Sequence, residues 1–283
     1  MKMLYMIHYK ERCFNEFRAI KKKYIDEGYT MANASAKICQ DIILNKISKS
    51  VMNHNVTIKG GVVMHGISND KRRATRDLDF IRYSLSDEDI KRFIEKLNDN
   101  DVKIKIVGQI TELHHQDYNG KRVNVELIDS NKFSISAKLD IGVHKNFDIK
   151  QDEYCFNLDA INESATLLIN SKEQILVEKL KSLLKFGITS TRYKDIFDFY
   201  YLINNTEMNK DEIIKILNIL IVNDDEMREN NTSDIVKDLK NILNNKQYIS
   251  KLSDAKNNWL ELPVEDVINS EIGYFEQLEL LEV

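Results

Sequence analysis

The chain has 283 residues, and its 41 Lys plus Arg against 45 Asp plus Glu give a formal net charge of −4. With 42% hydrophobic and 30% charged residues the composition is that of ordinary folded domains, which excludes a mostly disordered chain. No run approaches the ~20 apolar residues of a membrane span, and the opening MKMLYMIHYKER is too quickly charged for a secretory signal; a cytoplasmic protein without a membrane partner is expected.

Helical periodicity covers residues 4–25 and 31–50, where Ile38, Ile42, Ile43 and Ile47 share a face. The pattern then changes. Residues 56–58 form a short β-prone run, followed by Lys59, Gly60, Gly61 and a small apolar segment, 62–64, that suits the start of a short helix. Residues 76–83 read as a strand, and Ser86 with Asp89 three positions on opens a helix in near-capping-box fashion. Residues 102–107 alternate, as do Val123, Val125 and Leu127 after an Asn119-Gly120 turn signal. The most regular strand is 133–144, with Phe133, Ile135, Ala137, Leu139, Ile141 and Val143 on one face and Ser134, Ser136, Lys138, Asp140, Gly142 and His144 on the other.

From Ser171 the pattern is helical to the end. Ser171 and Gln174 form a capping box, Gly187 stands at a C-cap, and further helices are expected over 192–204, 209–222, 233–244 and 264–281, with Asn209 and Ser233 as N-caps. The expected class is α+β, a mixed α/β part over residues 1–160 built on a small mixed sheet flanked by helices, then an all-helical bundle over 161–283. One proline and nine glycines are too few for an all-β fold rich in tight turns. Cys13, Cys39 and Cys155 lie far apart without a CxxC pair, which favours buried free thiols. Residues 1–150 hold 27 basic and 20 acidic side chains, net +7, and residues 151–283 hold 14 and 25, net −11; the front half suits a polyanion such as a nucleotide or RNA.

The chemistry concentrates around Asp77-Leu78-Asp79, sixteen residues after Gly61. Two aspartates at i, i+2 on a strand point to one face, with Leu78 and Phe80 turned to the core. Such a pair converges on a divalent ion, and oxygen-only ligands favour Mg²⁺ or Mn²⁺. Asp140, on the polar face of the best strand beside Lys138, is the candidate third carboxylate. The glycines let backbone N–H groups approach phosphate oxygens at a helix start. Arg72, Arg73 and Arg76 lie between the two elements, where a basic loop meets triphosphate, RNA or solvent. On a helical wheel for 172–186, Leu176, Leu180 and Leu183 form the buried stripe, Lys181 and Lys185 point away and Lys179 flanks it. Arg192 and Asp195 are i, i+3 neighbours, an ordinary helix ion pair or part of a site. The adjacent His114-His115 cannot share a strand face, and Trp259 with Tyr193, Tyr200 and Tyr201 reads as helix packing.

The run Lys59-Gly60-Gly61…Arg73-x-Thr75-x-Asp77-Leu78-Asp79, the strand Lys138-Leu139-Asp140-Ile141, the helical Glu178-Lys179-Leu180 and the closing Arg192-x-Lys194-Asp195-x-x-Asp198 together resemble the AbiEii/AbiGii toxins of abortive-infection and toxin–antitoxin systems, within the DNA polymerase β-like nucleotidyltransferases. The resemblance spans about residues 55–205. It implies transfer of NMP from an NTP to an acceptor hydroxyl, with a tRNA 3′ end as acceptor and a separately encoded antitoxin as partner. It implies further that Asp77, Asp79 and Asp140 hold the metal, that Asp140 ligates it or takes the hydroxyl proton, and that Lys179 contacts nucleotide phosphates. Asp195 or Asp198 then completes the pocket from the helical part, and Lys59, Arg76, Lys138 and Arg192 are further nucleotide-binding candidates. The family's Gly-Gly is usually followed by Ser or Thr; here Val62 follows, which leaves only backbone donors. The alternatives are the same chemistry on a small-molecule or protein hydroxyl, and a catalytically weak nucleotide- or RNA-binding module.

Overall fold

A computed structural model describes residues 16–82, 86–113, 120–143 and 148–281, with backbone alone for 80–82. The chain forms two compact units, Met1–Asn170 and Ser171–Val283. The division falls ten residues later than the expected 160/161, because the segment before Ser171 is a strand of the sheet.

The first unit begins with α1 (Phe17–Asp26) and α2 (Met31–Lys49), continues through β1 (Thr57–Lys59), α3 (Gly61–Ser68), β2 (Asp77–Arg82) and α4 (Asp87–Lys96), and closes with six strands. These are β3 (Lys103–Ile106), β4 (Thr111–Leu113), β5 (Gly120–Ile128), β6 (Ser134–Val143), β7 (Gln151–Leu158) and β8 (Glu163–Asn170). All eight strands form one mixed sheet in the order β3-β5-β6-β2-β1-β8-β7, with β4 also on β5. The pairs β2/β6 and β1/β8 are parallel and the others antiparallel. The sheet is larger than the sequence suggests, since β4, β7 and β8 were not expected as strands. The apolar alternation of β5 and β6 holds: Val123, Val125, Leu127, Ile135, Leu139 and Ile141 are buried. Residues before 16, with Cys13, together with Tyr83, His114, His115, Asn119 and His144, lie outside the described residues.

The core helix of this unit is α2, which packs on β6, β7 and β8. It is not amphipathic in the usual sense, because Lys37, Gln40, Asp41, Asn45 and Lys46 are buried along with its isoleucines, and each has a partner, as burial requires. Lys37 pairs with Asp41 at 2.6 Å, Asp41 also accepts from Tyr24 Oη and Ala160 N at 3.0 Å each, and Asn45 donates to Glu163 at 2.8 Å. Cys39 is buried as expected, whereas Cys155 on β7 is exposed.

The second unit is helical throughout: α5 (Lys172–Phe186), α6 (Tyr193–Asn205), α7 (Lys210–Leu217), a π-helical turn at Asn218–Val222, α8 (Thr232–Leu243), α9 (Lys246–Leu252) and α10 (Val264–Glu279). Ser171 caps α5 by accepting from Gln174 N at 3.1 Å, but the Gln174 amide reaches Glu178 instead of returning, so only half the capping box forms. Asn209 caps α7 as expected; α8 is capped by Asn231 and not by Ser233, and α9, capped by Asn245, was not expected. Gly187 ends α5 with φ +54°. Leu176, Leu180 and Leu183 are buried beside Phe197, Phe199, Trp259 and Phe275. The helical wheel misplaces Lys181, which is buried and paired with Asp224 at 2.5 Å. Among the described residues no helix is long and apolar enough to cross a membrane.

Candidate active site

Strand pairing sets one row of side chains across four neighbouring strands. Lys59 of β1 lies opposite Asp79 of β2, Asp79 is in register with Asp140 of β6, and Asp140 lies opposite Arg122 of β5. Register partners share a face, so two carboxylates stand side by side between two cations. The row below it on the same face holds Asp77, in register with Lys138. Asp77 and Asp79 are half-buried, Lys138 is exposed, and Asp140 is buried although it sits on the strand's polar face. The start of β2 is fastened by Gln40 of α2, whose amide donates to Thr75 O at 3.0 Å and reaches Asp77 O at 3.5 Å.

The Gly60-Gly61 corner stands directly over this row. Gly60 has φ +71° and ψ −142°, a conformation reserved for glycine. A Cβ there would lie 2.5 Å from Asp79 Oδ2, and one on Gly61 would lie 2.9 Å from Thr75 Cβ and Oγ1. The turn therefore brings bare backbone against the Asp79 carboxylate and starts α3, whose first N–H groups have no intrahelical acceptor and favour an anion. Val62 is buried and lines a cavity of about 480 Å³ with Tyr29, Lys37, Asp41, His65 and Tyr154.

Asp140 is committed. Arg122 Nε donates to its Oδ1 and Nη2 to its Oδ2, both at 2.7 Å, in the two-point fork typical of guanidinium and carboxylate. The hydrogen bond to Asp140, with the charges of Asp140, Asp77 and Asp79, holds the guanidinium pKa above its already high ordinary value. Three carboxylates closing on one point were expected; among the described residues no three His, Cys, Asp or Glu side chains are so gathered. Both oxygens of the third are taken by Arg122. The remaining pair still fits Mg²⁺ or Mn²⁺, because such ions take one or two protein carboxylates and draw other ligands from phosphate and water. The space beside Asp79 that a Cβ at position 60 would fill is kept open by glycine.

Sequence reading missed Arg122, yet a signal for it exists. The β5–β6 connection is a tight turn held by Asp129, which accepts from Phe133 N at 2.8 Å through its side chain and donates its own N–H to Phe133 O at 3.0 Å. Counting outward from that turn puts Arg122 opposite Asp140.

The basic segment before β2 divides: Arg72 closes onto Asp70 at 3.0 Å, Arg73 is buried and Arg76 is exposed. Within the helical unit, Lys179 is buried between Asp195 and Asp198, at 2.9 Å from the latter. Asp198, fully buried, also accepts from Trp259 Nε1 at 3.1 Å. Arg192 is exposed and 3.9 Å from Asp195, so Lys179 is that aspartate's principal partner.

The first unit is thus a mixed sheet that presents paired aspartates beside a glycine turn opening a helix. The chain belongs to the AbiEii family, the nucleotidyl transferase toxins of type IV toxin–antitoxin systems, whose profile matches residues 42–269. It is a nucleotidyltransferase, and membership implies an antitoxin partner. The match exceeds the span read from the motifs and takes in the C-terminal part of α2 and most of the helical unit. Among solved structures the chain is similar to an antigenic nucleotidyltransferase-like protein from Paracoccidioides brasiliensis, at 17% identity and a TM-score of 0.47, over 77% of this chain and 91% of that one. No curated protein matches the chain.

Proposed function

We propose that the carboxylate row and its glycine corner carry metal-dependent transfer of NMP from an NTP to an acceptor hydroxyl, with the 3′ end of a tRNA as acceptor. The observation that carries this reading is the in-register placement of Asp79 and Asp140 beneath Gly60, with Asp77 on the same face. Asp77 and Asp79 would hold Mg²⁺ or Mn²⁺, which supplies charge neutralisation at the phosphates. The Gly60-Gly61 backbone and the start of α3 bind and orient the triphosphate. The acceptor oxygen forms a bond to the α-phosphorus while the bond from that phosphorus to its bridging oxygen breaks, and pyrophosphate departs. The hydroxyl proton passes to Asp140, beside Asp79, once Arg122 has turned away from one of its oxygens. Positioning and electrostatics suffice for this chemistry.

The test incubates the protein with Mg²⁺, total tRNA and each labelled NTP in turn. Label is expected to enter RNA with release of pyrophosphate, and Asp79→Ala to abolish it. Label in a small molecule or in protein would move the acceptor and keep the reaction; no transfer from any NTP to any acceptor would remove the reading.

A further inference from the structure

Asp79 and Asp140 face each other across a parallel strand pair, where neighbouring backbones run about 4.8 Å apart. Two carboxylates that close repel unless a cation stands with them. Lys59 and Arg122 flank them in the row, but only Arg122 engages Asp140 through both oxygens at once. Asp140 is buried and its fork with Arg122 is short and symmetric, so each oxygen already accepts a charged hydrogen bond and the carboxylate's charge is offset by the guanidinium. A divalent cation held by the neighbouring pair and the guanidinium therefore compete for one carboxylate.

We propose that Arg122 is a positioning residue that guards Asp140: it holds both carboxylate oxygens while no divalent cation is bound, and gives up at least one of them when the cation arrives. This inference rests on the metal-dependent reading above. Arg122 then acts as an internal counter-ion that keeps the carboxylate face intact in the empty enzyme, at the expense of metal affinity. A bystander cation would repel Mn²⁺ whether or not Asp140 is ionised, whereas a guard acts only through Asp140.

The experiment titrates Mn²⁺ alone into the full chain by calorimetry, with no nucleotide present. Arg122→Gln, which removes a competing positive charge, is expected to bind Mn²⁺ about tenfold more tightly than the unsubstituted protein. Adding Asp140→Asn to it should erase the gain. In EDTA, Arg122→Gln should melt below the unsubstituted protein and recover more on adding Mn²⁺. Should that variant not fold, Arg122→Lys serves, because an ammonium cannot fork across two oxygens; it should tighten Mn²⁺ binding by a smaller factor. Binding that is lost in Asp77→Asn but is no tighter in the folded Arg122 variants overturns this inference and leaves the metal reading standing. Absence of Mn²⁺ binding in every variant overturns both.

Discussion

Gly60 carries two constraints at once, a backbone conformation closed to other residues and an atom of Asp79 where a side chain would begin. Gly60→Ala should therefore cost about 1–3 kcal/mol in denaturant melts, and abolish nucleotide transfer. Combining it with Asp79→Ala removes the obstructing oxygen, so the pair should lose less stability than the two single losses added; strict additivity would show that the two residues do not interfere. Lys179 tests a buried charge in the same way. Lys179→Met leaves Asp198 fully buried without its ammonium and should destabilise the helical unit by about 3–5 kcal/mol. Asp198→Asn, which can still accept from Trp259, should lose less in the same melts. That Asp77 and Asp79 share a strand face, and that Asp140 lies on the polar face of its strand, was legible from alternation; singling them out took the preceding Gly60-Gly61 as well. Arg122 was not, because an exposed-looking arginine on a strand's polar face gains meaning only when the pairing register is known.

At the scale of elements, α5 depends on its first turn. Ser171 supplies the single side-chain cap bond there, so Ser171→Ala should lower stability by about 1 kcal/mol, whereas Gln174→Ala, outside the half-formed box, should change it less. Chemical denaturation separates the two; equal losses would mean that the cap is not the source. Most elements could be read from periodicity because their apolar spacing matches one secondary structure. The exceptions have physical reasons. In β8 the alternating Ala165, Leu167 and Ile169 are joined by a half-buried Leu168, which blurs the period, and its parallel place beside β1 is set by tertiary packing. In α2 and around Lys181 the helix was foreseen but not its depth, since buried lysines are legible only once Asp41 and Asp224 are in place.

At the scale of the molecule, the two units differ in charge and in their response to pH. The first carries 27 basic and 24 acidic residues, net +3, and the second 14 and 21, net −7, so the positive excess lies in the unit that holds the carboxylate row. In the first unit burial, with Lys37 and Arg73 nearby, lowers the pKa of His65 to about 4. As pH falls from about 6.5 toward 4 the unfolded chain binds a proton that folded His65 refuses, which removes up to about 3 kcal/mol, while Asp41, whose pKa burial raises, acts in the opposite direction. In the second unit Glu271 is fully buried and burial pushes its pKa well up. Above pH 4.5 the unfolded chain releases a proton that the folded unit keeps, so this unit weakens as pH rises. Between pH 4.5 and 6.5, hydrogen exchange corrected for its intrinsic rate should show protection in α10 falling as pH rises. Protection there that does not fall would contradict the assignment, and Glu271→Gln should flatten the response.

The register between β2 and β6 also bears on when a toxin becomes dangerous. Asp79 and Asp140 are 61 positions apart, and β5 is threaded between them in the chain before β6 can dock. A polypeptide still emerging from the ribosome with β6 unmade holds the glycine corner and one aspartate pair, but lacks the neighbouring strand that supplies the third acid and its arginine-bearing hairpin is incomplete. Under the proposed function, a nascent chain gains transferase chemistry only after β6 has been made and has docked beside β2.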